Sequence, residues 1–178
     1  MSQLLLELLS EEIPARMQTR AAGDLRRLVT DGMSSARLAF GDAHVYVTPR
    51  RLTLVIEDVA DGSEALVEER KGPRVGAPDK AVQGFLRGSG LASIDEAIVV
   101  SDAKKGDYYV ARMEKPGQSA SSIIGGLIPD VLRSFPWPKS MRWGEGEFTW
   151  VRPLQSILCV LDGSVVPFEV AGLHSGDE

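Results

Sequence analysis

Short β-rich runs come in pairs in this chain, and only three stretches carry helical periodicity. His44–Thr48 and Leu52–Val59 flank Pro49-Arg50-Arg51. In the second run Leu52, Leu54 and Ile56 alternate with Thr53, Val55 and Glu57, the period-two pattern of a half-buried strand. Ile98–Ser101 and Tyr108–Glu114 face one another across Asp102-Ala103-Lys104-Lys105-Gly106-Asp107. Ser156–Leu161 and Val165–Val170 do so across Asp162-Gly163, a strong hairpin signal. Leu4–Leu9 and Ala65–Glu69 are two further strand candidates. There is no regular strand–helix–strand alternation, which argues against a doubly wound parallel sheet. The expected class is α+β: mixed, mostly antiparallel sheets with about three helices.

The helical stretches have their own punctuation. From Pro14 to about Leu38, Met17, Ala21, Leu25, Leu28, Val29 and Met33 recur at helical spacing, while Arg16, Arg20, Asp24, Arg26 and Arg27 mostly fall on other faces. Pro14 suits a first helical position, and Gly32 predicts fraying or a break. Asp79 is placed to cap Lys80–Arg87, which buries Val82, Phe85 and Leu86 and stops at Gly88 or Gly90. Ser93 and Glu96 have capping-box spacing. The third helix carries Ile123, Ile124, Leu127, Val131, Leu132 and Phe135, with a kink expected at Pro129. Gly72-Pro73 predicts a turn after the strand at Ala65–Glu69. The seam of the chain is expected in Ala60–Asp79, with an inserted subregion at about 60–115.

Composition restricts function more than fold. The chain has 178 residues, 43% hydrophobic and 25% charged, which is a globular balance. No apolar run approaches the roughly 20 residues of a membrane span. The start, MSQLLLELLSEE, lacks the basic opening of a secretory signal. One cysteine, Cys159, rules out an internal disulfide framework and fits a reducing cytoplasm. His44 and His174 are far apart and no metal-ligand spacing occurs, so no metal site is expected. The net charge of −5 excludes coating nucleic acid by bulk charge; contact with nucleic acid would need a local basic patch.

No catalytic constellation is present. There is no phosphate-binding G-x-x-x-x-G-K-[ST] loop, no dinucleotide fingerprint and no G-x-S-x-G elbow. The residues with chemical interest are cations and two acids. Arg50 and Arg51 follow Pro49 between strands, and Arg70 and Lys71 precede Gly72-Pro73. Lys139, Arg142 and Arg152 lie in Phe135–Leu161, which also holds Trp137, Trp143 and Trp150. Such cations either bind phosphates or a partner chain, or pair with the chain's own acids. The adjacent Glu11 and Glu12 favour a helix N-terminus, or pair with an arginine such as Arg50 or Arg51. The tryptophans are either a stacking surface or core aromatics.

Taken together, ELLSEEIPARM, TPRRLTLVIEDVA, EERKGPRVGAP, PKSMRW and FTWVRPLQSILCVLDGSVVPFEVAGLHSGD, in this order, closely resemble the beginning of the beta subunit of bacterial glycyl-tRNA synthetase, the tetrameric kind with two alpha and two beta subunits. The resemblance runs from about Leu4 to Asp177; Leu9 departs from it, standing where the family usually has a glycine. It implies an enzyme that joins glycine to tRNA(Gly) using ATP with magnesium, both handled by the alpha subunit. It implies that later beta-subunit domains, including an anticodon-binding one, follow this stretch. The expected role here is a non-catalytic scaffold without a cofactor of its own, in the cytoplasm. Its partners would be the alpha subunit, a second beta subunit and, through the whole beta subunit, tRNA. Contacts would be made by Arg50, Arg51, Arg70, Lys71, Lys139, Arg142 and Arg152, with Glu11 and Glu12 as structural carboxylates. The other reading of these residues is a free-standing RNA-binding or protein-interaction module.

Overall fold

The computed structural model describes residues 2–101 and 106–177. In chain order its elements are β1 (Ser2–Ser10), α1 (Ala15–Ser35), β2 (Ala43–Thr48), β3 (Arg51–Val59), β4 (Leu66–Arg74), α2 (Asp79–Ser89), a 3-10 turn (Ile94–Glu96), β5 (Ile98–Val100) and β6 (Tyr108–Lys115). There follow α3 (Ala120–Arg133), β7 (Met141–Arg142), β8 (Thr149–Trp150), β9 (Leu154–Leu161), β10 (Ser164–Val165), β11 (Glu169–Val170) and β12 (Leu173–Gly176). With mostly antiparallel sheets this is the α+β class read from the sequence. The chain divides into two compact units, Met1–Glu64 with Gln118–Glu178, and Ala65–Gly117.

In the larger unit β1 is hydrogen-bonded on both edges, to β3 and to β9, within the order β11-β12-β9-β1-β3-β2. Its even residues Leu4, Leu6 and Leu8 are buried, as are Leu52, Leu54 and Ile56 of β3 and Ile157 and Cys159 of β9. Register aligns them in rows across the sheet. Leu6 lies between Leu54 and Cys159, and Leu8 between Leu52 and Ile157. Such direct cross-strand neighbours are the unit of sheet stabilisation. A slip of one residue would turn every one of them to the other face.

Helix α1 covers this core with Met17, Ala21, Ala22, Leu25, Val29 and Met33. Each of the larger side chains stabilises by about 1.5–3 kcal/mol over its exposed state. Pro14 is the N-cap rather than the first helical residue; its carbonyl accepts the Met17 N–H at 2.8 Å. The helix does not break at Gly32. A Cβ there would run into the Leu127 side chain of α3, so the glycine marks where the two helices approach closely. The end comes later, through Arg37 at φ 58. Leu38 N–H donates to Met33 O at 3.0 Å and Arg37 N–H to Ser34 O at 2.9 Å, the paired bonds of a Schellman motif, with Leu38 buried behind them. Helix α3 continues through Pro129, which is buried.

The aromatic stretch belongs largely to this core. Phe135 and Trp137 each lie about 5 Å from Trp150, at 4.9 and 5.0 Å between ring centroids. Phe148 continues the cluster, 5.9 Å from Trp150 and 5.7 Å from Trp143. Trp150 is fully buried, and β7 and β8 pair Met141 with Trp150 and Arg142 with Thr149. Segment 136–146 is exposed except at Trp137 and Trp143, which are half-buried and packed on the core.

The smaller unit is an antiparallel sheet in the order β4-β6-β5 with α2. Its buried side chains include Phe85, Val110 and Ala111. Gly72-Pro73 is not a turn: β4 runs through it to Arg74, with a register shift between Lys71 and Arg74. Proline is tolerated because β4 is an edge strand, where no neighbour needs its missing N–H. Gly72 lies against the Phe85 ring, 2.7 Å from where a Cβ would stand. Asp79 is the first helical residue of α2, not its cap; Pro78 holds the cap position without a side-chain bond. The C-terminal stop is Gly90, in the left-handed region at φ 71. Ser93 accepts the Asp95 N–H, and Glu96 the Ala92 N–H, close to the capping box expected. Of the connection from β5 to β6, residues 102–105 lie outside the described residues.

The final hairpin also differs from expectation. Asp162 and Gly163 both have positive φ and form the turn, yet the return strand is only Ser164–Val165. Val166 N–H still reaches Cys159 O at 2.9 Å, after which Pro167 has no N–H to offer. The chain turns away, and β12 comes in beside β9 in parallel, with Ser175 opposite Ile157.

Gly23 and Gly32 lie in the same helix and give opposite expectations. Gly23→Ala meets nothing within 4 Å and removes a flexible residue, so it should stabilise by about 0.4–1 kcal/mol. Gly32→Leu overpacks the α1–α3 contact and should destabilise by about 1–3 kcal/mol. Thermal melts followed by circular dichroism check both signs.

Candidate functional site

Three of the sequence segments singled out above converge at the C-terminal end of β1. Backbone bonds hold them together: Ser10 N–H to Arg50 O at 2.8 Å, Ile13 N–H to Pro49 O at 2.6 Å, and Glu11 N–H to Pro153 O at 3.1 Å. The β2–β3 turn and the approach to β9 are thereby pinned on either side of residues 10–13. The side chains above them, Glu11, Glu12, Arg50, Arg152 and Gln155, line a polar cleft of about 420 Å³. A second hollow of about 450 Å³ shares Glu12 and Arg152 and reaches Pro14, Gln18 and Pro49.

Within the cleft Arg50 is oriented by two acceptors. Its Nη2 donates to Gln155 Oε1 at 2.8 Å and its Nε to Ser10 O at 3.4 Å. Arg152 donates to its own neighbour's carbonyl, Val151 O, at 2.9 Å. Glu11 and Glu12 are exposed and lie before α1, whose first turn contains no acid. Arg51, on the sheet beside the cleft, is paired with a carboxylate. Its Nε is 3.6 Å from Glu7, which also accepts from Thr53 at 3.2 Å. Two guanidinium groups, two carboxylates and an amide at one mouth can hold a ligand of mixed charge, or a phosphate seated on the arginines. No nucleophile or histidine lines this cleft.

The other cations sit elsewhere. In the smaller unit Arg70 donates to Gly88 O, and Lys71 Nζ lies 3.8 Å over the Tyr108 ring. In the larger unit Arg142 is exposed on the β7–β8 ribbon, and Lys139 borders a separate groove against α1. Of the five expected contact residues in the larger unit, Arg50 and Arg152 share the cleft and Arg51 flanks it. Gln155 was not singled out from sequence. Its signal was available, since it is the outward residue beside inward Leu154 at the start of β9.

Cys159 is enclosed between the sheet and the helices, and burial pushes its thiol up to about 12. That makes it a packing residue rather than a nucleophile. Among the described residues no group of three or more His, Cys, Asp or Glu could hold a metal ion. No helix among them is long and apolar enough to cross a membrane.

A family model described as "Glycyl-tRNA synthetase beta subunit" matches residues 4–178. The chain belongs to that family. It is 55% identical to the glycine–tRNA ligase beta subunit of Ruegeria sp. (strain TM1040), over 99% of this chain and 26% of that relative. It is 49% identical to the glycine–tRNA ligase beta subunit of Dinoroseobacter shibae (strain DSM 16493 / NCIMB 14021 / DFL 12), over 99% of this chain and 25% of that relative. The chain spans about a quarter of the length of these curated relatives. The family resemblance read from the five sequence segments therefore holds across the two units described above.

The buried thiol gives a prediction with a definite sign. The unfolded chain ionises Cys159 near its ordinary 9.0, whereas the folded chain holds the proton up to about 12. Its contribution to stability is full below pH 9 and is lost as pH rises from there towards 12. Melting temperatures measured from pH 8 to 11 should fall more steeply for the wild type than for Cys159→Val. A thiol reagent at neutral pH should label Cys159 only after denaturation.

Proposed function

We propose that this chain is the N-terminal region of a beta subunit of glycine–tRNA ligase, which attaches glycine to tRNA(Gly) with ATP. In this reading it works in the cytoplasm in a tetramer of two alpha and two beta subunits. ATP and magnesium are handled by the alpha subunit, and the present region is a non-catalytic scaffold. The observation that carries the reading is the match over nearly the whole chain to relatives named as this subunit, at 55% and 49% identity. The cleft described above offers no nucleophile and is lined by charged and amide side chains, which suits binding rather than bond-making.

Within that role, Arg50 and Arg152 are the residues we assign to contact with the tRNA backbone. Gln155 and the Ser10 carbonyl hold Arg50 in place, so little side-chain freedom is lost when a phosphate arrives. Glu11 and Glu12 at the same mouth disfavour an approach that does not bring a phosphate directly onto the arginines. A chain of net charge −5 binds RNA through local cations, and this cleft brings two arginines together beside two carboxylates.

The test uses full-length beta subunit assembled with the alpha subunit. Arg50→Ala/Arg152→Ala should weaken tRNA(Gly) affinity by about tenfold and flatten its salt dependence by roughly 1–2 in logarithmic slope. Glycine-dependent ATP–pyrophosphate exchange should be unchanged. Arg51→Ala should alter tRNA binding much less, because Arg51 flanks the cleft and does not line it. Unchanged tRNA affinity in the double variant would rule out the phosphate role. Failure of the wild-type assembly to glycylate tRNA would rule out the ligase reading.

A further inference from the structure

Another cavity in the larger unit shares no lining residue with the cleft. It is a groove of about 480 Å³ between the first half of α1 and the segment Phe135–Lys139. Its floor is apolar: Met17 and Ala21 of α1 on one side, Phe135 and Trp137 on the other. Three cations stand around it, Arg16, Arg20 and Lys139, all exposed. The one acid at its edge, Asp24, is shared between Arg20 at 3.6 Å and Arg27 at 3.3 Å, so the two cations outnumber it and the rim keeps a positive balance. Trp137 also carries a buried indole N–H without a hydrogen-bond partner.

This chemistry selects an occupant with a flat apolar body and negative charge on its flanks. Arg16 and Arg20 are one helical turn apart on one face, about 6 Å along the axis. That spacing is comparable to the separation of successive phosphates along one nucleic-acid strand. Lys139 stands across the groove from them. An acidic amphipathic helix would instead need a row of apolar anchor sites at i, i+3, i+4 and i+7. The floor here is one compact patch, of a size for a single base and its sugar rather than for several turns of helix.

We propose that this groove receives one unpaired nucleotide of an RNA strand, its base on the Met17–Ala21–Trp137 floor and its flanking phosphates on Arg16, Arg20 and Lys139. Proteins read single-stranded RNA in this way, with splayed bases on apolar and aromatic surfaces and cations along the backbone. The proposal rests on the tRNA-binding reading above and adds which structural element of the RNA this face takes. It also gives a role to α1 arginines that the sequence pattern alone assigns to a solvated face.

The experiment uses the assembled enzyme with full-length beta subunit carrying Arg16→Ala/Arg20→Ala/Lys139→Ala. All three side chains are exposed, so the substitutions leave the core intact. The probes are a short unstructured oligoribonucleotide and the same sequence annealed into a duplex. Relative to wild type, the triple variant should bind the single strand about tenfold more weakly, with a salt slope about two units shallower, at roughly 0.7 per lost phosphate contact. Duplex binding should change less than single-strand binding, because a paired base does not enter the groove and its phosphates are not brought onto these cations. Ultraviolet cross-linking of the wild type should place the single strand on a peptide containing Trp137, and the variant should lose that cross-link. Equal losses for single strand and duplex would overturn the proposal, leaving a simple phosphate patch. Wild-type RNA binding with weakened association of the alpha subunit would overturn it in favour of a protein occupant. No change in either measurement would overturn it as well. Arg50→Ala/Arg152→Ala assayed in parallel separates the two sites: a defect there with none here removes the groove alone. The direct binding measurement remains readable even if glycylation itself is absent.

Discussion

The pairing of β1 on both of its edges is the constraint on which the larger unit depends. One strand of nine residues contributes Leu4, Leu6 and Leu8 to the core and fixes the registers of β3 and β9 at the same time. Because the side-chain period of a strand is two, those registers leave no intermediate arrangement. Both neighbours show their apolar set to the helices, or neither does. Helix α1 then has a defined surface to cover, and α3 approaches α1 at the one position, Gly32, that lacks a side chain to obstruct Leu127.

The cleft is a consequence of how β1 ends. At Ser10 the strand stops and residues 10–13 spend their backbone N–H groups on Pro49, Arg50 and Pro153 carbonyls. Bonds that a longer strand would have given to its neighbours instead tie two turns to one short segment. Their charged side chains are thus gathered over a backbone tied down at Ser10, Glu11 and Ile13. A backbone tied down in this way, with Arg50 held by Gln155 and Ser10 O, is a suitable base for recognising an anion, since much of the cost of ordering has been met in the fold. The chain remains acidic as a whole, so hollows that gather cations, such as the cleft and the α1 groove, are set against a background that repels nucleic acid.

Much of the fold could be read from local pattern. The strands β1, β2, β3, β6 and β9 and the three helices follow from periodicity, because each buries one face and so repeats its apolar residues at its own period. The misreadings share a cause. Gly72-Pro73, Pro167 and Gly32 are breakers by local chemistry, and each has a different outcome in the structure. Gly72-Pro73 is absorbed by a bulge on an edge strand, and Pro167 truncates β10 so that a later strand can pair with β9. Gly32 is retained in mid-helix because a neighbouring helix needs the room. The sequence shows that a residue is unusual; only its neighbours show which accommodation was made.

The same division holds for function. The order and spacing of five segments identified the family, because a family is defined by sequence and needs no coordinates to be seen. Chemistry by residue type was also legible: cations in loops, paired acids, and no catalytic set. What only the tertiary structure decided was proximity. Arg50 and Arg152 are far apart in sequence and share one cleft, whereas Arg50 and Arg51 are adjacent and point to different partners, Gln155 and Glu7. Arg50 stands in the turn and Arg51 begins β3, so their side chains take different directions, and distant segments meet when backbone bonds draw them together. The tryptophans, read as either a stacking surface or core, became mostly core once β7 and β8 had closed over Trp150. Sequence determined which groups this protein has to work with; the pairing of β1 decided which of them meet.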